Sequence, residues 1–345
     1  MKRGIQFLSI IAAVGIVTTA QAKEVKVAYL PCGQINDHSW SETGYEGMKL
    51  AKEALAADGI QMTLDYTESL QAAQVEPAAR DYASRGYAAV VLHCATFSGG
   101  ALNAAKAFPN TKFLVSTSPD TKDLPKNFWF YDASQQEASF LAGYLGGLMS
   151  KSGRVGAIGG FDFPALVRQV EGFRLGARFA NPKMKSFATY INSWEDAGKA
   201  KEAAQAQIDS GADVIFAATD QAARGAFTAA ENSNAFAIAS YTDQANLAPK
   251  NILTSVLYDY PRLVKMMVVM AVEDKLEVGK AYAMGVTDGV GDLAFNPAID
   301  STIGPTVKAK VASLAADIKA GKIKVPMLSK PNEAEGVNLD SLAAK

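Results

Sequence analysis

The chain holds 345 residues, with 34 Lys and Arg against 35 Asp and Glu and a formal net charge of −1. Such a balance lacks the electrostatic footprint of nucleic-acid binding. A length beyond roughly 300 residues outgrows one compact core, so two or so domains are expected.

The chain opens with Lys2 and Arg3, runs apolar from Ile5 to Val17 and reaches Ala20-Gln21-Ala22. That is the charged, apolar and small-residue order of a secretory signal over 1–22, with cleavage after Ala22. The apolar run falls short of the about 20 residues that a membrane anchor needs. No cysteine stands directly after it, so a lipidated mature N terminus has no attachment atom. The expectation is a mature chain free in the periplasm, without stable membrane insertion.

Strands and helices then alternate. Strand 25–30, helix 42–55, helix 74–84, strand 88–92, helix 100–107 and strand 112–116 are each bounded by Gly, Pro, Asn or Asp. A second series follows: strand 154–158, helix 165–180 stopped by Asn181-Pro182, strand 186–191, helix 198–209, strand 214–218, helix 222–231 and strand 235–240. Alternating βα units imply an α/β fold of doubly wound parallel sheets. Segment 253–257 reads as a crossing, the amphipathic helix 260–272 as a return to the first lobe, and 307–318 as a last helix. The lobes are drawn as 23–131 with about 257–280, and 132–256 with about 281–328. The polar stretch 329–345 lacks the apolar content to pack well.

The two series are related. Tyr45-Glu46-Gly47-Met48-Lys49-Leu50-Ala51 returns as Val170-Glu171-Gly172-Phe173-Arg174-Leu175-Gly176, and residues 84–91 return as 209–216, both at an offset of 125. This is the length of a whole α/β unit, not a solenoid period. Two similar lobes leave a cleft between them, where small ligands bind.

In doubly wound sheets ligands sit beyond the carboxyl ends of the strands, so the turns there hold the candidates. The first, Asn36-Asp37-His38-Ser39-Trp40-Ser41-Glu42, puts Trp40 at the start of a helix behind a capping box of Ser39 and Glu42. The matching turn, Asn192-Ser193-Trp194-Glu195-Asp196, places Trp194 in a short polar loop. A planar heterocycle between two indole faces gains about 1–3 kcal/mol per stacked ring. The competing role for Trp40 is a staple packed on its own helix. Asp37, Asp220 and Asp243, the last within Tyr241-Thr242-Asp243-Gln244, are carboxylates able to accept from ring N–H or amino groups. Asp220 and Asp243 are equally suited to capping and turns. Phe163, before Pro164, and Phe97 either close the cleft or pack beneath it.

Cys32 and Cys94 each end a predicted strand of the first lobe. Neighbouring strands are about 4.8 Å apart, so a bridge is possible, the alternative being two small residues at the cleft mouth. Catalytic patterns are weak. His93 adjoins Cys94 on a strand, so the two side chains point to opposite faces and form no dyad. No metal set has believable spacing, and no phosphate-cradling glycine loop follows the first strand. Gly289-Val290-Gly291-Asp292-Leu293-Ala294 runs into Phe295-Asn296-Pro297 and reads as a turn. No cofactor is expected.

Several ordered blocks, Asp132-Ala133-Ser134-Gln135-Gln136-Glu137-Ala138, Gly153-Arg154-Val155-Gly156-Ala157-Ile158-Gly159-Gly160, Val170-Glu171-Gly172-Phe173 and Ile208-Asp209-Ser210-Gly211-Ala212-Asp213, together resemble the basic membrane protein family of solute-binding proteins. The resemblance spans nearly the whole mature chain. It implies a type I periplasmic-binding fold, two lobes around a ligand cleft, and delivery of purine nucleosides or related compounds to an ABC permease. The family's Asp-Lys-Ser-Phe-Asn motif looks like Asp37-His38-Ser39-Trp40-Ser41, and its Ser-Phe-x-Asp resembles Ser193-Trp194-Glu195-Asp196. Where nucleoside-binding members carry ribose-holding Asp, Asp and Lys, this chain has Thr117, Tyr241 and Tyr258. The resemblance thus implies a monomeric receptor for a purine base or similar flat heterocycle. Alternatives are a carbohydrate or signalling-molecule receptor and, in another class, a secreted α/β enzyme acting in the cleft.

Overall fold

A computed structural model describes residues 23–36, 40–116 and 124–344. The signal segment, the capping residue Ser39 and the candidates Asp37 and Thr117 lie outside the described residues.

The first half runs β1 (Lys23–Pro31), α1 (Trp40–Ala57), β2 (Ile60–Tyr66), α2 (Ala72–Ser84), β3 (Ala89–His93), α3 (Ser98–Ala107), β4 (Lys112–Ser116) and β5 (Phe128–Ala133). The second runs α4 (Gln135–Met149), β6 (Arg154–Gly159), α5 (Pro164–Ala180), β7 (Lys185–Tyr190), α6 (Ala197–Asp209), β8 (Val214–Ala218), α7 (Ala223–Asn232), β9 (Phe236–Tyr241) and β10 (Ile252–Tyr258). It is followed by α8 (Tyr260–Val272), β11 (Tyr282–Met284), β12 (Gly291–Phe295), α9 (Asp300–Lys319) and α10 (Glu333–Gly336). Central strands such as β3, β5 and β8 are buried along their whole length. Uninterrupted apolar runs of this kind need a sheet covered on both faces.

Two six-stranded sheets result, in the orders β11-β5-β4-β3-β1-β2 and β12-β10-β9-β8-β6-β7. They correspond strand by strand, the sequence repeat realised in space. Neighbours are parallel apart from β12, which runs antiparallel along β10. Gly86 (φ 76°) and Gly211 (φ 94°) occupy the same turn before β3 and β8. There the chain leaves a helix through the left-handed region, where a Cβ is strained.

The chain passes between the sheets three times, from β5 to α4, from β10 to α8 and from β11 to β12. Helix α8 packs on α1, β3 and β5, while α4 packs on α5, α9, β10 and β12. Asp259 caps α8 by accepting from the Arg262 amide at 2.9 Å, with Pro261 in the first turn. One apolar core runs through the inner layers of both halves, with separate cores under α2 and α3 and under α6 and α7.

Six elements lie outside the sequence reading: β2, α4, β5, β11, β12 and α10. Strand β2 fully buries only Met62, as an edge strand can, and β11 and β12 are edge strands defined by what they pair with. Helix α9 begins at Asp300, ahead of the expected start, and breaks at Gly304 before Pro305.

The tail corrects an expectation. Ala334 is 0% and Leu342 2% exposed, so the described part of this stretch, 329–344, packs despite its polarity. The reason is a set of buried polar groups on α5. Glu171 Oε2 accepts from the Ala334 amide at 2.8 Å, and Arg174 donates to Asn332 Oδ1 at 3.0 Å and pairs with Glu335. Arg178 donates to the Ala334 carbonyl. Hydrogen bonds to groups that must be satisfied replace the missing apolar area.

Candidate functional site

At the carboxyl end of the first sheet, Trp40 begins α1. Its indole lies flat on the His93 ring, with centroids 4.3 Å apart and planes at 15°, and meets Tyr260 edge-on at 4.5 Å. The indole N–H donates to the His93 carbonyl at 2.9 Å. His93 is fully buried, with Nδ1 2.7 Å from the Tyr131 hydroxyl. Next to this cluster Cys32 and Cys94 form a disulfide, their Cα atoms 5.8 Å apart. Of the two roles open to these cysteines, the structure has the bridge.

At the carboxyl end of the second sheet, the Trp194 ring lies over Gly160. A Cβ on Gly160 would stand 2.5 Å from the indole, so this close approach depends on glycine. Phe161 packs on Trp194 at 4.9 Å and Phe163 at 6.1 Å. Phe163 is 42% exposed, a ring at the surface directly before the Pro164 start of α5. The Trp194 carbonyl accepts from the Ala222 amide at 2.8 Å, which ties this loop to the 3-10 turn Asp220–Ala222. Asp220 opens that turn with φ 51° and is exposed. Trp194, Phe163 and Asp220 are therefore brought together, along with Phe161.

Two candidates fall elsewhere. Phe97 is 1% exposed and packs with Val75, Ala101 and Val115 in the core under α2 and α3, so its ring does not line a cleft. The physical reason is the short 3-10 turn Ala95–Phe97, which folds the ring inward before α3 starts. Asp243 Oδ1 accepts from the Ala245 amide at 3.1 Å and from the Ser255 hydroxyl at 3.4 Å, which is a turn-stabilising role.

A buried polar network links residues of the two halves. Asp132, on β5, pairs with Arg168, on α5, at 3.2 Å. Burial pushes the Asp132 carboxyl up to about 6, which the neighbouring Arg168 charge offsets only in part. The Tyr260 hydroxyl lies 3.5 Å from Asp132 and accepts from Gln135 Nε2 at 2.7 Å. Gln169 Nε2 donates to Gln135 Oε1 at 3.0 Å and to the Tyr241 hydroxyl at 2.8 Å, while Gln169 Oε1 accepts from Ser240 at 3.1 Å. The Tyr258 hydroxyl stands 2.8 Å from Ser139 Oγ and donates to the Gln135 carbonyl at 3.2 Å. Burial holds the Tyr241, Tyr258 and Tyr260 phenols well above their usual range, so they act as neutral hydrogen-bonding groups.

Sequence reasoning missed His93, Phe161, Tyr260, Asp132, Gln135, Arg168 and Gln169 as parts of this arrangement. A signal existed in α5, where Arg168, Gln169, Glu171 and Arg174 occupy buried positions between apolar ones. Buried polar side chains on a core-facing helix imply partners. Among the described residues no group of three His, Cys, Asp or Glu could hold a metal ion, and no helix is long and apolar enough to cross a membrane. A surface cavity of about 560 Å³, bordered by Lys106, Lys112 and Trp129, lies at the amino ends of β4 and β5, away from the ring clusters.

Comparison with known proteins places the chain as a whole. Residues 24–327 match the family model described as ABC transporter substrate-binding protein PnrA-like. A purine-binding protein of Brucella abortus is 30% identical over 243 residues, 70% of this chain and 67% of that one. Basic membrane protein A of Borreliella burgdorferi is 27% identical over 305 residues, 87% of each chain. An ABC transporter solute-binding protein structure from Conexibacter woesei superposes with a TM-score of 0.70 at 25% identity, over 89% of this chain and 100% of that one. A solute-binding protein from Aeropyrum pernix, at 19% identity and a TM-score of 0.73 over 93% of this chain and 100% of that one, shares the fold. The family model describes substrate-binding proteins of ABC transporters, not enzymes. With its two parallel-sheet lobes and a family match over nearly the whole described chain, this protein belongs to the Bmp family of ABC transporter substrate-binding proteins.

Proposed function

We propose that this protein captures a purine base, or a closely related flat heterocycle, between an aromatic wall on each lobe and hands it to an ABC permease. The observation that carries the reading is the pair of ring clusters, Trp40 with His93 and Tyr260 on one sheet and Trp194 with Phe161 and Phe163 on the other, each at the carboxyl ends of its strands. Flat rings offer stacking surface to a planar guest. The lobes in this reading are 23–131 with about 257–280 and 132–256 with about 281–328, joined by the three crossings. Closure is a population shift driven by contacts that the ligand makes to both lobes only when they are shut.

A free base fits better than a nucleoside. The Tyr258 hydroxyl donates to the Gln135 carbonyl and meets Ser139, so it is not left to hold a ribose, and Tyr241, which accepts from Gln169, offers a phenol where nucleoside-binding members carry a carboxylate. Asp220 and, from the sequence alone, Asp37 and Thr117 are the polar groups proposed to read the edge of the ring. The signal at 1–22 directs the chain to the periplasm, where it works as a monomer. The relative named for purine binding supports this ligand class.

Mass spectrometry of small molecules released on denaturing the purified protein, followed by calorimetric titration with adenine, hypoxanthine and guanosine, tests the reading. A base bound more tightly than guanosine is the expected result. A co-purifying sugar, or conversion of the added base to a product, overturns it.

A further inference from the structure

The disulfide stands where the first aromatic wall is assembled. Strands β1 and β3 are neighbours with Pro31 opposite His93, and the two cysteines are the residues that directly follow. On the Cys94 side, His93 supplies both the carbonyl that accepts the Trp40 N–H at 2.9 Å and the ring on which the indole lies at 4.3 Å. On the Cys32 side, the Gly33 amide donates to Ser41 Oγ at 3.0 Å, and Ser41 directly follows Trp40. The Ser41 carbonyl in turn accepts from the Tyr29 hydroxyl at 2.7 Å. Each flank of the bond thus holds Trp40 or its immediate neighbour.

The bond sits outside what folds the sheet. The β1–β3 ladder runs from Val27 to Pro31 through fully buried residues, and ends at the residue before each cysteine. Both cysteines are themselves partly exposed, within reach of a reductant. Opening the bridge frees the two strand tips that locate the indole while leaving the strands paired. A recognition ring that drifts by an ångström loses much of its contact with a rigid guest.

We infer that Cys32 and Cys94 are positioning residues for Trp40, and that ligand affinity follows the redox state of their bridge. The inference rests on the proposed reading of the ring clusters as the ligand site. Calorimetric titration with adenine and hypoxanthine is carried out on the oxidised protein, on the same protein reduced with a phosphine, and on the Cys32→Ala, Cys94→Ala double variant. Affinity is expected to fall about tenfold in the last two. Circular dichroism at the titration temperature reports that the chain is folded. If the double variant does not fold, the reduced native chain decides.

A second readout needs no ligand. With Trp129→Phe and Trp194→Phe, Trp40 is the one indole left in the mature chain. Acrylamide quenching of its emission rises on reduction if the bridge positions it, which a bond serving stability alone would not produce in a folded chain. Equal affinity in the oxidised and reduced forms overturns the inference and leaves the purine reading standing. If the oxidised protein binds neither base, the purine reading falls, and the quenching alone decides the positioning role: unchanged quenching overturns it.

Discussion

Asp132 and Arg168 face each other at 3.2 Å from opposite halves of the molecule, one at the end of β5 and the other on α5, and neither side chain is more than 5% exposed. Breaking such a buried pair by removing one member costs about 3–5 kcal/mol, because the other charge stays behind without compensation. Arg168→Met should lower the unfolding free energy by about that amount in urea titrations. Asp132→Asn combined with Arg168→Met should cost far less. A loss in the double variant equal to the sum of the two single losses would show that the pair does not act as a unit.

The same carboxyl gives stability a pH dependence with a defined sign. Asp132 titrates near about 6 in the fold, above the 3.8 of an ordinary aspartate, so the native state holds this proton more tightly than the unfolded one. Its contribution is most favourable below about pH 4, declines as pH rises toward about 6 and is flat beyond. Measured against Asp132→Asn, which does not titrate in this range, the wild type should lose ground between those limits in thermal unfolding. A difference that stays constant across the window would remove the buried-carboxyl account.

Trp40→Ala and Trp194→Ala should each weaken binding of a purine base by about tenfold or more, since a stacked ring contributes about 1–3 kcal/mol and about 1.4 kcal/mol is tenfold. Titration calorimetry on folded variants reads this directly. Affinity unchanged in both variants would end the stacking model.

Gly160→Ala is a sharper probe of the second wall. The added methyl would stand 2.5 Å from the Trp194 ring, whose atoms are its three nearest neighbours. The indole must move, so affinity should drop about tenfold while the cooperative unfolding transition survives. Wild-type affinity in this variant would mean that the Trp194 ring has no role in holding the ligand.

Truncation after Ser329 should lower stability by about 2–4 kcal/mol, because Asn332, Glu335 and the Ala334 backbone leave Arg174 and Glu171. Base binding should be unaffected. Chemical denaturation of the truncated chain checks the first part and calorimetry the second.

Strands β3 and β8 were legible in the sequence as continuous apolar runs, whereas β5, equally buried, was not read, and the helices legible there carry a cap or a stop, such as α5 between Pro164 and Asn181. The offset of 125 residues anticipated two matching sheets because it repeats turn glycines as well as apolar positions. Helix α4 escaped notice since eleven of its residues are buried around much of its circumference, which erases the one-sided period that marks a surface helix. Trp40 and Trp194 stood out because large rings in polar turns are conspicuous. Phe97 stood out for the same reason and is a core residue, since a turn's sequence does not say which way its ring faces. The polar network was illegible for another reason: Gln135, Gln169, Tyr241 and Tyr260 meet only after both sheets have formed.

The clasp of α10 and its flanks on α5 has a practical reach. It engages Arg174 and Arg178 beside Ser186, at the start of β7, whereas Phe163 and Trp194 gather at the opposite end of the same helix and strand. The segment 332–337 is thereby held at the opposite end of α5 from Phe163. A fluorophore or a surface tether joined to this segment stands clear of a guest held at the proposed ring clusters, so the clasp offers a handle for building an optical sensor.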